Sequence, residues 1–140
     1  MKMKFSSSVE IDAPPEKVWA LVNDLEEWPQ WIPSIKKIEK LSEGALGEGS
    51  QICVTAKSII TVKFLMTITE FVPGQRAVMQ GKVLGTEMTR YYNIEPLNGG
   101  ARLTAGGEVS GLLAYLVRRG GQALSEEIVQ AAKRKIEGEH

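Results

Sequence analysis

Hydrophobic and polar positions alternate strictly at the start of the chain. Met3, Phe5, Ser7, Val9 and Ile11 share one face at period two, against Lys2, Lys4, Ser6, Ser8 and Glu10. That pattern predicts a half-buried first strand. The period then changes to that of a helix. Pro14 suits the first helical position, where its missing N–H would have no partner anyway, and Glu16 places a negative charge where the helix dipole favours one. Val18, Leu21, Val22 and Leu25 follow at helical spacing, and Pro29 ends the run. Trp28, Trp31 and Ile32 form a second short helical or turn segment closed by Pro33.

The middle of the chain reads as a meander. Residues 35–41 form a strand of irregular alternation, which suggests a bulge. Gly44, Gly47 and Gly49 mark a loop. Residues 50–56 and 59–71 read as strands with a tight link at Lys57–Ser58. Pro73–Gly74 fits a type II turn, because proline fixes the first central φ and glycine permits a positive second one. Residues 76–83 and 86–95 are strands joined around Leu84–Gly85. Asn98–Gly99 is a hairpin signal, since both residues tolerate positive φ. Residues 101–110 give the last strand. From Leu112 to Ile136 runs a long helix, with Leu113, Leu116, Val117, Gly120, Leu124, Ile128 and Ala131 along one broad stripe. Sequential hairpins make the sheet antiparallel, its open face needs a cover, and only the final helix is long enough to supply it. The pattern is α+β.

Composition adds bounds. The chain has 140 residues, 43% of them hydrophobic and 24% charged, which fits one soluble globular domain spanning 1–140. Its formal net charge is zero, so no global field steers it to nucleic acid. A lone Cys53 and a lone histidine, His140, leave no Ser-His-Asp triad, Cys-His pair or histidine-ligated metal centre. No cofactor and no metal are expected. No apolar run approaches the ~20 residues of a membrane span, and Met1–Lys4 lacks a signal-peptide segment, so a cytoplasmic location is expected. The closing Glu139–His140 reads as the stub of a purification tag and carries no functional weight.

The segment VEIDAPPEKVWALVNDLEEWPQWIP, from Val9 to Pro33, resembles the START-like, helix-grip (SRPBCC) superfamily of polyketide cyclases/dehydrases and lipid-transport proteins, which includes the Bet v 1-like allergens. EFVPGQ from Glu70, YYNIEPLNGGARLT from Tyr91 and EVSGLL from Glu108 extend the likeness over nearly the whole chain. The resemblance implies a curved antiparallel sheet of about seven strands, two short helices and a long C-terminal helix over an internal cavity. WPQWIP is similar only in outline to the Tyr-Pro…Pro segment of the coenzyme Q-binding members.

Alternation places Met88, Arg90, Tyr92 and Ile94 on one face of their strand. An arginine on an apolar face needs a carboxylate, water or an anionic ligand group. Glu70 ends the apolar series Ile60, Val62, Phe64, Met66 and Ile68, so it is a candidate partner; a slipped register would instead put Arg90 in solvent. Met66, Met79 and Met88 suit either core or an adaptable pocket wall. Gly120–Gly121 within the last helix suggests close approach of the sheet, room for a ligand, or a kink. The family often bends this helix over the pocket mouth, which favours a gate. Asp24, Glu26 and Glu27 read as solvated. Lys133, Arg134 and Lys135 make a basic helix end that complements the dipole.

The expected ligand site comprises Phe64, Met66, Ile68, Met79, Met88, Arg90, Tyr92, Leu116 and Gly120; no catalytic residue is assigned. The expected function is binding or transport of a small, mainly hydrophobic molecule (lipid, polyketide or quinone-like) by a monomer or weak homodimer. The alternatives are a polyketide cyclase/dehydratase-type enzyme and an accessory protein similar to the accessory component of carbon monoxide dehydrogenase.

Overall fold

The period-two pattern at the start becomes strand β1, Lys2–Ile11, in the computed structural model, which describes residues 2–57 and 60–138. Helix α1, Pro15–Asn23, follows. Pro14 stands outside it, with an extended backbone (φ −66°, ψ 152°), so Pro15 and not Pro14 takes the first helical position. A 3-10 helix, Leu25–Gln30, holds Trp28. The remaining strands are β2 (Ile35–Lys40), β3 (Gln51–Lys57), β4 (Thr61–Val72), β5 (Arg76–Val83), β6 (Thr86–Leu97) and β7 (Gly100–Ser110). The link expected at Lys57–Ser58, and the strand start at Ile59, fall partly on Ser58 and Ile59, outside the described residues.

The seven strands form one curved antiparallel sheet in the order β1-β7-β6-β5-β4-β3-β2. The turn at Pro73–Gly74 is as expected: Gly74 has φ 81°, and Gln75 N–H donates to Val72 O at 3.0 Å. At Asn98–Gly99 only the glycine takes positive φ. The irregularity expected in β2 appears as a register shift between Ile35 and Lys37. A second shift, between Ile68 and Glu70 on β4, has no counterpart in the sequence pattern.

Helix α2, Ala114–Glu137, begins two residues later than the pattern suggests and runs without interruption through both glycines. Its buried face includes Val117, Gly121, Ile128, Val129, Ala132 and Ile136. Its side chains also close the free edge of β1. Arg118 Nε donates to Lys4 O at 2.9 Å, the Gln122 amide bridges Ser6 N–H and C=O at 3.0 and 2.9 Å, and Lys133 Nζ donates to Glu10 O at 2.7 Å. The Glu137 carboxylate accepts from Asp12 N–H at 2.9 Å. Backbone groups that would template another strand are thereby occupied. Among the described residues no helix is long and apolar enough to cross a membrane.

Candidate functional site

Two glycines make room for one ring, and that ring positions the site. A Cβ on Gly107 of β7 would lie 2.9 Å from Phe5 Cζ, and one on Gly121 of α2 would lie 2.7 Å from the same atom. Phe5 therefore fits between sheet and helix only because both positions lack a side chain. Across the ring stands Arg90 of β6, its guanidinium carbon 5.4 Å from the centroid. Arg90 Nη2 donates to Ser125 Oγ at 2.9 Å, and Ser125 Oγ donates to Gly121 O at 2.7 Å.

A guanidinium has five N–H donors. The hydrogen bonds among the described residues use one of Arg90's, and no described carboxylate forms an ion pair with it. Glu70, the expected partner, is elsewhere. The register shift after Ile68 sends Glu70 to the outer face of the sheet, where its carboxylate meets Arg76 Nε at 3.2 Å. The same shift turns Phe71 inward against Trp19, with ring centroids 5.6 Å apart. Removal from water lowers the Arg90 pKa from 12.5 to about 10, which leaves it cationic at neutral pH.

The hollow between sheet and helix is divided in two, where a single pocket was expected. The inner chamber, about 40 Å³, has room for a few waters. Its walls include Trp28, Ile52, Met66, Met79, Tyr92 and Ile128. The outer cleft, about 280 Å³, opens between Met88, Leu116 and Gly120. Phe64, Arg90 and Leu124 line both spaces and so form the partition. Of the expected site residues, Phe64 and Arg90 stand at the partition, Met66, Met79 and Tyr92 face the chamber, and Met88, Leu116 and Gly120 face the cleft. Ile68 is buried beside the register shift and lines neither space.

Tyr92 adds a second polar atom. Its hydroxyl is buried with no hydrogen-bond partner among the described residues, and its ring packs 6.0 Å from Trp19 and 6.2 Å from Trp28. Burial pushes the phenol pKa up, so it stays protonated and can donate. Trp28 is itself held by Nε1 donating to Val22 O at 3.0 Å. At the cleft wall Glu127 accepts from Ser34 N–H at 2.8 Å and from Ser34 Oγ at 2.6 Å, clasping α2 to the start of β2.

Sequence reasoning missed Trp28, Leu124, Ser125 and Ile128. Ser125 had a signal, being a small polar residue on the helix's apolar stripe one turn after Gly121. Gly120 and Gly121 also exchange the roles that the stripe implies. Gly121 meets the sheet, whereas a Cβ on Gly120 would find nothing within 4 Å. Asp24, Glu26 and Glu27 lie on the polar edge beyond α1, away from chamber and cleft. Lys133 is occupied by Glu10 O and by the Glu137 carboxylate at 2.8 Å.

A family profile described as polyketide cyclase / dehydrase and lipid transport matches residues 2–137. No curated protein sequence matches the chain. Among solved structures, a START superfamily protein from Mycobacterium smegmatis superposes with a TM-score of 0.82 at 19% identity, over 98% of this chain and 99% of that one. The Zhui aromatase/cyclase from Streptomyces sp. R1128 gives 0.81 at 14% identity, over 97% and 96%. Ara h 8.0201 gives 0.75 at 20% identity, over 99% of each chain. At these identities the likeness establishes the fold: a helix-grip sheet and helix.

Proposed function

The chain belongs to the polyketide cyclase/dehydrase and lipid-transport family, and we propose that it binds a small, mainly apolar molecule that carries one anionic or carbonyl oxygen. The observation that carries this reading is Arg90, a cation with unused donors, fixed where an apolar cleft meets an apolar chamber. The apolar body of the ligand lies in the cleft, and its oxygen reaches the guanidinium. Tyr92 offers a second donor from the chamber side. Cleft and chamber together reach only the low end of ligand-pocket volumes, about 300 Å³, so the ligand is small unless the partition moves.

Calorimetric titration with decanoate, methyl decanoate and decanol tests the reading. The three share an apolar body and differ at the oxygen. A charge-assisted hydrogen bond is worth about 1.5–3 kcal/mol, so decanoate is expected to bind at least ~10-fold more tightly than the other two. Equal affinities would remove Arg90 as the anchor, and no binding by any of them would remove the reading.

The unpartnered Tyr92 hydroxyl favours a second reading, in which the site also catalyses cyclisation or dehydration of a poly-β-keto chain. Arg90 would polarise a carbonyl and Tyr92 would donate a proton to the oxygen. On that reading Tyr92→Phe abolishes turnover of a poly-β-keto thioester analogue while leaving its binding within ~3-fold, since one neutral hydrogen bond is worth about 0.5–1.5 kcal/mol.

A further inference from the structure

Apolar side chains stand in solvent around the mouth of the cleft. Leu112 is 98% exposed, and Tyr115 and Leu116 follow it on the first turn of α2, each 59% exposed. Ile60 precedes β4, and Leu84 occupies the β5–β6 turn. Strand register puts these positions at one end of the molecule: Lys57 pairs with Thr61, Val83 with Thr86, and Ser110, just before α2, with Lys2. Scattered single exposed apolar residues mean nothing, but a contiguous set marks an interaction surface.

Leu84 is the one non-glycine with positive φ among the described residues, at 52°. Glycine or asparagine would hold that turn with less strain. The chain instead carries a leucine there, with its side chain half in solvent.

The charge around this end is mainly positive. Lys57 borders the cleft, Lys63 lies on adjoining β4, and Arg118 and Arg119 are on the second turn of α2. The ion pairs among the described residues use none of these four. Glu87 and Glu108 lie at this end too, but Glu87 stands across from Lys82 and Glu108 meets Lys2 at 3.9 Å. Asp12, Glu70 and Glu95 sit beside the turns of the opposite end. We infer that the cleft mouth docks on an anionic lipid bilayer, with Leu112, Tyr115, Ile60 and Leu84 entering the interface and the basic residues meeting head groups. A second copy of the chain is a poorer occupant, because mouth-to-mouth pairing brings the two basic collars together. The inference rests on the rim and not on Arg90, so it stands independently of the ligand.

Flotation of the purified protein with vesicles tests it. Vesicles of phosphatidylcholine are compared with vesicles containing about 30% phosphatidylglycerol, at low salt and at about 0.5 M salt, where screening shortens the reach of charge to a few Å. The protein is expected to float with the anionic vesicles at low salt, and to be released by salt or by omission of phosphatidylglycerol. Leu112→Asp with Tyr115→Asp, and separately Lys63→Glu with Arg119→Glu, are each expected to lower the partition coefficient at least ~10-fold. Lys17→Glu, a charge reversal on α1, is expected to leave it unchanged, and circular dichroism melts establish that each variant is folded. Failure to float, equal flotation of all variants, or equal binding to neutral vesicles would overturn the inference. So would sedimentation showing a dimer that Leu112→Asp dissociates. Loss of flotation with decanoate binding intact removes this inference alone; the converse removes the ligand reading alone.

Discussion

Arg90→Met separates a binding cation from a structural one. The substitution keeps an unbranched side chain of similar length and deletes the guanidinium. Stability changes by the balance of three effects. Burying the charge, which lowers its pKa from 12.5 to about 10, corresponds to at most about 3 kcal/mol against the charged form. Opposing this are the hydrogen bond to Ser125, about 1.5–3 kcal/mol for a charged donor, and the contact with the Phe5 ring, about 0.5–2 kcal/mol. Ser125 keeps its own acceptor, Gly121 O, so no polar atom is stranded. The effects nearly cancel, and unfolding free energy is expected to stay within ~1 kcal/mol of the parent. Decanoate affinity is expected to fall by about 2 kcal/mol or more, because the ligand charge then lies in the cleft without a counter-charge. Glu70→Gln made alongside recovers nothing, since Glu70 already pairs with Arg76. Urea denaturation and calorimetric titration read the two quantities. A loss of more than ~2 kcal/mol in stability with decanoate affinity intact would make Arg90 a structural residue and refute the reasoning.

Three further outcomes follow from local geometry. Leu84→Asn relieves a leucine at φ 52° and is expected to raise stability by about 1 kcal/mol in denaturant titration, while weakening vesicle binding. Gly121→Ala drives a methyl to 2.7 Å from Phe5 Cζ and is expected to cost about 1–3 kcal/mol, whereas Gly120→Ala enters open space and gains up to ~1 kcal/mol of helix propensity. Decanoate affinity is expected to hold through neutral pH and to decline only above about 10. The sign follows because Arg90 loses its proton there and the charge-assisted bond with it; the bound anion favours the protonated form and moves the decline higher still. A decline near neutral pH would assign the anchor to another group.

Most of the fold was legible because it depends on periodicity. The alternation of residues 2–11, the Pro73–Gly74 turn and the apolar stripe of the last helix each specify an element without tertiary information. The site was legible in part for the same reason: Met88, Arg90 and Tyr92 share a face of β6 in the structure as in the pattern. What failed was register. A bulge inserts one residue without changing composition, so nothing in the run from Ile60 to Glu70 announces that Glu70 leaves the face shared by Phe64 and Met66. The glycine pair failed for a related reason, since a helix rotates by about 100° per residue and the stripe alone does not distinguish Gly120 from Gly121. Trp28 and Leu124 belong to the site through the packing of segments distant in sequence, which no local pattern encodes.

The β4 bulge links fold to chemistry. Had the series continued at period two, Glu70 would face inward and could have neutralised Arg90, giving an internal ion pair with no capacity left for a ligand. With the bulge, Phe71 takes the inward place against Trp19, Glu70 joins Arg76 outside, and Arg90 keeps a hydroxyl as its hydrogen-bond partner among the described residues. A buried cation held by one neutral hydrogen bond is costly in the free protein, and an incoming anion or carbonyl offsets that cost. Much of the binding energy would therefore come from leaving Arg90 underpaired. A bulge-free frame supplies the comparison: deleting Thr69 restores simple alternation and returns Glu70 toward Arg90. A folded Thr69 deletion is expected to lose at least ~10-fold in decanoate affinity, and Glu70→Gln in that background is expected to restore part of it, opposite to its silence in the parent. If the double change restores nothing while both variants fold, the bulge is not what keeps Arg90 available.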